Sequence, residues 1–227
     1  MIDCFVTHRK NQSFMTHVIG MLNPKGGAGK STLSSNISRC LQLKGFNVLV
    51  ADSDPQGTLR DWRQSDSEDK QPSVVGVDRP NLHKDLPKLA SSFDFVIIDG
   101  AAKLQEMVAS SVKASDIVLI PIQPSAADVW GCRDLINLIQ ARQEVTDGKP
   151  KTAFIINRQI LNTNLASDIV GVLKEFGLPV FKSRTTQRVI YAEALSTGTT
   201  VLDVEMNGQA SIEIQNIVQE LLELING

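Results

Sequence analysis

The chain has 227 residues, 42% of them apolar, and a formal charge of −2. That apolar supply can fill one compact core, no hydrophobic run is long enough to cross a bilayer, and the charge argues against an evenly basic nucleic-acid binder. Cys4, Cys40 and Cys132 are widely separated, so the spacing points to neither a disulfide framework nor a zinc or iron–sulfur site, and a reducing cytoplasm fits best.

The opening segment 1–14, MIDCFVTHRKNQSF, has basic residues but lacks the apolar core of a secretory signal, and Met15 follows it. It reads as a disordered or non-native extension ahead of a single domain at 15–227. Six apolar, β-rich runs then recur: HVIGMLN (17–23), NVLVAD (47–52), SVVGV (73–77), FVIID (95–99), DIVLIPI (116–122) and TAFIIN (152–157). Most are continuous rather than alternating, as strands buried on both faces are. Helical spacing marks 29–44, 81–90, 105–114, 127–145, 165–176, 187–196 and 209–225. Strands joined by crossover helices predict an α/β fold of three layers, with a mostly parallel central sheet flanked by helices. The polar stretch RQSDSEDKQPS at 63–73 reads as a solvated loop.

The first strand runs into NPKGGAGKST (23–32), and a helical pattern follows at once. Glycines let a backbone take positive φ and fold around an anion, so that successive N–H groups and a helix amino terminus point at phosphate oxygens. Gly26, Gly27, Ala28, Gly29 and Thr32 therefore belong to a phosphate cradle. Lys30 reaches the β- and γ-phosphates, and Ser31 supplies a hydroxyl to Mg²⁺. The expected fold is thus a P-loop NTPase, with a nucleoside triphosphate and Mg²⁺ as cofactors. Acids at strand ends suit the metal, because a hard cation prefers oxygen ligands and parallel strand ends open onto the ligand crevice. DSDPQG delivers Asp52 and Asp54, and FVIIDG delivers Asp99.

The ordinary Walker spacing is not met, because Pro24 stands where its first glycine belongs. KGGAGKS instead matches the deviant Walker motif, and in this the chain resembles the ParA/MinD family of dimeric P-loop ATPases. The resemblance implies ATP as the nucleotide. It implies that Lys25 crosses a subunit interface to the phosphates held by the partner chain, so that Lys25, Lys30 and Asp54 form the catalytic set. Asp54 would position the attacking water, Asp52 would lie near the metal and the P-loop hydroxyl, and Asp99 would be the Walker B acid. Asn157 ends a strand where related ATPases read the adenine edge, although a turn role suits an Asn there equally.

The likeness extends over about 17–205. PIQPSAADVWG resembles the segment bordering the nucleotide and dimer interface, and FKSRTTQRVIYAEALSTGTTVLD together with VIIDGAA resembles the short, ParF-type plasmid partition proteins. The resemblance implies DNA segregation: an ATP-driven sandwich dimer binds nonspecific DNA on the nucleoid or assembles into filaments. A small ParB- or ParG-like centromere-binding protein would then stimulate slow hydrolysis. Segment 151–200 holds six basic residues against three acids, which makes Lys182, Arg184 and Arg188 the candidate DNA phosphate contacts. The alternative is a ParA-like ATPase positioning another cargo, such as a chemotaxis cluster. A MinD-like membrane role is disfavoured, because the closing helix carries Glu213, Glu220 and Glu223 and no lysine or arginine.

Overall fold

The computed structural model describes residues 16–77, 79–102, 105–161 and 165–227, the side chains of 165–168 aside. The 1–14 extension lies outside these residues. All six apolar runs are strands: β1 (His17–Met21), β2 (Val48–Asp52), β3 (Ser73–Gly76), β4 (Phe95–Asp99), β5 (Ile117–Ile122) and β6 (Lys151–Ile156). They form one sheet in the order β3-β2-β4-β1-β5-β6, and every pairing is parallel. β2, β4 and β5 are buried along their whole length, as their unbroken apolar composition requires. Pro121 in β5 carries no N–H, and it lies past the point where β1 pairs with that strand; its carbonyl accepts from Asn23 Nδ2 at 2.7 Å instead.

The described helices are α1 (Lys30–Leu43), α2 (Thr58–Gln64), α3 (Leu82–Leu89), α4 (Gln105–Ala114), α5 (Ala126–Gly131), α6 (Arg133–Glu144), α7 (Leu165–Lys174), α8 (Val189–Ser196), α9 (Val201–Val204) and α10 (Gln209–Asn226). One sheet face packs Ile19, Met21 and Ile97 against α1 and α10, through Leu33, Ile37, Ile214 and Ile217. The opposite face packs Val118, Ile120 and Phe154 against α6 and α7, and Val96 and Ile98 against α3 and α4. Each such buried aliphatic side chain stabilises the fold by roughly 1.5–3 kcal/mol.

Five segments differ from the sequence reading; one is α9, whose four residues are too few to show a helical period. The expected helix 127–145 is broken at Cys132, a buried residue that ends α5 directly after Gly131, a poor helix former. The segment expected to be helical from 187 starts at Val189, because Gln187 N still pairs with Gln159 O, in strand fashion. Helix α2 has too few residues for a periodic signal, yet it seats Leu59 and Trp62 in the core, and Trp62 Nε1 donates to Thr199 O at 2.8 Å. The stretch 63–73 is not simply solvated: Gln71 is buried, and Arg39 Nη1 donates to Lys70 O at 2.7 Å.

That anchoring centres on Asp203. Its Oδ1 accepts from Arg39 Nε and Nη2 at 2.9 and 2.6 Å, and its Oδ2 accepts from Gln71 Nε2 and Thr200 Oγ1 at 2.9 and 2.6 Å. Burial works to raise this carboxyl's pKa, but the four donors outweigh it and hold the group below its ordinary value. A depressed folded-state pKa gives stability that is present above the unfolded value, near 3.9 or about pH 4, and lost as pH falls through the folded value. Asp203→Asn is expected to lower stability at pH 7 by about 1.5–3 kcal/mol, the range for hydrogen bonds to a charged group. Urea titrations across pH should show the gap from wild type closing below about pH 4.

Candidate nucleotide site

β1 stands where the strand order reverses, with β4 and β2 on one side and β5 and β6 on the other, so a crevice opens at its carboxyl end. The glycine-rich loop fills that position. Asn23 pins its start, donating to Pro121 O and accepting from Lys25 N at 2.7 Å each. Gly27 and Gly29 take φ of 77° and 95°, a region L side chains avoid. Space also demands glycine at 29, since a Cβ there would lie 2.0 Å from Asn157 Nδ2. Beside Gly26 and Gly27 a Cβ would meet nothing within 4 Å, so the outer side of the loop is open. The loop leads straight into α1, where Leu33 N is the first amide to close on the helix, donating to Gly29 O at 2.9 Å; the amides at 30–32 precede it and are the helix-start donors that an anion can take up.

Both lysines sit at this opening. Lys30 is 7% exposed; burial lowers its pKa, against the opposing pull of Asp99 and Asp54, and its Nζ donates to Lys25 O at 3.3 Å. The Lys25 side chain is 47% exposed, and its ammonium pairs with the fully buried carboxylate of Asp128. Asp128 lies in the first turn of α5, which Ser125 caps. No motif marks it, although it falls within the PIQPSAADVWG segment. Gln123 Nε2 of that segment donates to Gly27 O at 2.8 Å.

The three acids stand at the ends of neighbouring strands. Asp52 and Asp99 are in register across β2 and β4, and Met21, where the loop departs, is the β1 partner of Asp99. Asp99 is fully buried; Ser31 Oγ donates to its Oδ2 at 2.7 Å and Ser34 Oγ to its Oδ1 at 3.2 Å. Burial pushes the Asp99 carboxyl up to about 7, the charge of Asp52 adds to this, and the Ser31 hydroxyl opposes it. Asp52, also raised by burial, accepts from Asp54 N and Arg60 N at 3.1 Å each. Asp54 is half-buried and accepts from Gln56 N at 3.0 Å.

This donor set suits Mg²⁺ and a polyphosphate. One hydroxyl and two buried carboxylates are oxygen ligands, and no group of three or more His, Cys, Asp or Glu among the described residues would hold a metal unaided. A hard ion there must take part of its shell from phosphate and water.

A cleft of about 770 Å³ adjoins the site, lined by Thr32, Thr58, Trp62, Asn157 and Gln187 among others. Asn157 is buried with both ends of its amide in use: Nδ2 donates to Ala28 O at 2.7 Å, and Oδ1 accepts from Thr185 Oγ1. Glu213 of α10, which no motif marks, organises the facing wall. It accepts from Thr186 N and Oγ1 at 3.1 and 2.8 Å, from Tyr191 OH at 2.8 Å, and from Arg188 Nε and Nη2 at 3.3 Å each. Of the candidate DNA contacts, Arg188 is thus drawn to an acid, Arg184 Nη1 donates to Gln159 Oε1 at 3.4 Å, and Lys182 is exposed.

A family model described as the CobQ/CobB/MinD/ParA nucleotide binding domain matches residues 19–201. The chain belongs to this family. A protein named maintenance of carboxysome distribution protein A, from Halothiobacillus neapolitanus, is 29% identical over 90% of this chain and 95% of its own. Protein ParA of Rhizobium radiobacter is 25% identical, over 88% and 91%. The ATP complex of a Cyanothece McdA variant shares the fold, with a TM-score of 0.72 at 17% identity, covering 95% of this chain and 98% of that one. The chain is accordingly a P-loop ATPase of the ParA/MinD kind, with its nucleotide-binding domain over the matched residues.

Asp99→Asn should separate metal binding from folding. An amide at this position avoids the desolvation of a buried charge, so the nucleotide-free melting temperature should hold or rise. The further rise produced by ATP with Mg²⁺ should shrink, because ligand stabilisation follows affinity. Thermal melts with and without a chelator check both outcomes.

Proposed function

We propose that this ATPase segregates DNA, that of a plasmid, as a nucleotide-switched dimer working in the cytoplasm on the nucleoid. ATP bound between two copies drives a sandwich dimer; the dimer binds nonspecific DNA or extends into filaments; hydrolysis, stimulated by a small centromere-binding partner, resets it. The observation that carries this reading is the second lysine. Lys25 stands at the mouth of the loop, half-exposed, on a contact that a stronger anion can replace. Exchange of Asp128 for the phosphates of a second copy links assembly to nucleotide by mass action.

Within the site each group has one task. The loop amides and Lys30 bind the β- and γ-phosphates, and Ser31, Asp52 and Asp99 hold Mg²⁺, which when bound neutralises charge on the transferring phosphoryl group. Asp54 orients the attacking water. Gly26, Gly27, Ala28, Gly29 and Thr32 shape the cradle, and Asn157 borders the base. Lys182, Arg184 and Arg188 form the DNA-facing patch, with Arg188 set by Glu213.

A second reading, positioning of a cargo other than DNA, is favoured by the 29% relative named for carboxysome distribution. A membrane-targeted role has less support. No helix among the described residues is long and apolar enough to cross a membrane, and the apolar face of α10 is occupied by α1 through Ile214, Ile217, Val218 and Leu221.

Lys30→Ala is expected to abolish tight ATP binding, whereas Asp54→Ala keeps binding and loses about 10²-fold or more in turnover. Wild-type protein should retain nonspecific duplex DNA only with triphosphate present. The combined Lys182, Arg184 and Arg188 alanine variant should weaken DNA binding and flatten its salt dependence. Nucleotide titrations, phosphate release and DNA retention over a salt series read these outcomes; full turnover by Asp54→Ala removes that residue from the mechanism.

A further inference from the structure

We propose that Arg60 is a positioning residue of the hydrolysis centre, its guanidinium holding segment 52–57 in the shape that aims Asp54 at the attacking water. The inference rests on the role proposed for Asp54. Arg60 lies in the first turn of α2, directly after the turn that carries Asp54, and it binds that turn at both ends. Its backbone N donates to Asp52 Oδ2 at 3.1 Å, its Nε stands 3.5 Å from the same oxygen, and its Nη2 donates to Asp54 O at 3.1 Å. One side chain thus ties the carboxylate preceding Asp54 to the carbonyl of Asp54 itself.

The surroundings are shaped to the guanidinium. Gly57 and Gly76 flank it: a Cβ on Gly57 would sit 3.0 Å from Nη2, and one on Gly76 would sit 3.1 Å from Cδ and 3.3 Å from Nη1. Gly57 also takes a φ of 69° and donates to Asp54 O at 2.9 Å, so the Asp54 carbonyl receives donors from both the turn and the arginine. The Asp52 side chain is fully buried and the Arg60 side chain only one-third exposed, which separates this pair from a solvated surface contact. A planar fork with several fixed donors can span two acceptors in this way, and a lysine cannot.

Misplacing a reacting group by about 1 Å costs on the order of 10²-fold in rate, so a residue that fixes Asp54 should act on kcat. Arg60→Ala is expected to lower the kcat for ATP by about ten- to a hundredfold with KM unchanged, the pattern of an interaction used in the transition state alone. Arg60→Lys, which keeps the charge and the aliphatic stem, should recover only part of the rate. Guanidinium ion added at millimolar concentration should restore turnover to Arg60→Ala and not to Asp54→Ala. A wild-type rate in Arg60→Ala overturns this inference alone. Parallel changes of kcat and KM with no response to guanidinium overturn it too, because a merely structural role gives that result. Absence of ATP turnover in the wild-type protein overturns this inference and the function it rests on together.

Discussion

Two serine hydroxyls hold the Asp99 carboxylate inside the protein, and the burial of that group constrains everything at the carboxyl edge of the sheet. A carboxylate with no access to water favours its neutral form unless a cation or strong donors approach. Asp52 stands beside it in strand register and works against ionisation; Lys30, turned inward on α1, works for it. The docking of α1 on β4, the direction of Lys30 and the placing of the Ser31 hydroxyl are therefore parts of one electrostatic arrangement. That arrangement is poised for a divalent cation accompanied by polyanion.

The glycine loop is held from behind as well. A continuous series of contacts runs from Ala28 through Asn157 to Thr185, and Glu213 grips the adjacent Thr186. The closing helix is thereby tied to the phosphate loop across the cleft. This accounts for two of the three acids on α10 in a way that charge counting alone does not: Glu213 and Glu220 face the loop 182–188, with Glu220 accepting from Lys182 N and Ser183 N at 2.8 and 2.6 Å, while Glu223 is exposed. The helix is apolar where it meets α1 and acidic where it holds that loop.

Much of this was legible in the chain itself. Strands buried on both faces must be apolar throughout, which makes β2, β4, β5, most of β6 and the inner part of β1 readable; the partly exposed edge strand β3 shows instead through its β-branched pair Val74 and Val75, and a phosphate loop needs glycine and lysine at short fixed spacing. Asp52, Asp54 and Asp99 could be found because strand ends mark them. Asp128, Arg60 and Glu213 could not, because each acts on a partner reached through folding rather than through a local pattern: Lys25 lies 103 residues from Asp128, and Thr186 lies 27 from Glu213. Arg60 is nearer to Asp52 and Asp54, but its value depends on a slot completed by Gly76 from another strand. Helices α2 and α9 were missed for a different reason, since seven and four residues are too few to display a helical period.

The central claim is that triphosphate binding and assembly are one event, joined by a lysine that leaves its own chain's Asp128 for the phosphates of a second copy. Light-scattering mass of the wild type and of Lys25→Ala, each with ADP, ATP and a nonhydrolysable ATP analogue, tests it most directly. The account predicts doubled or greater mass for the wild type with triphosphate alone, and monomer for Lys25→Ala under every condition although it still binds nucleotide. Triphosphate-dependent assembly of Lys25→Ala equal to that of the wild type would contradict it.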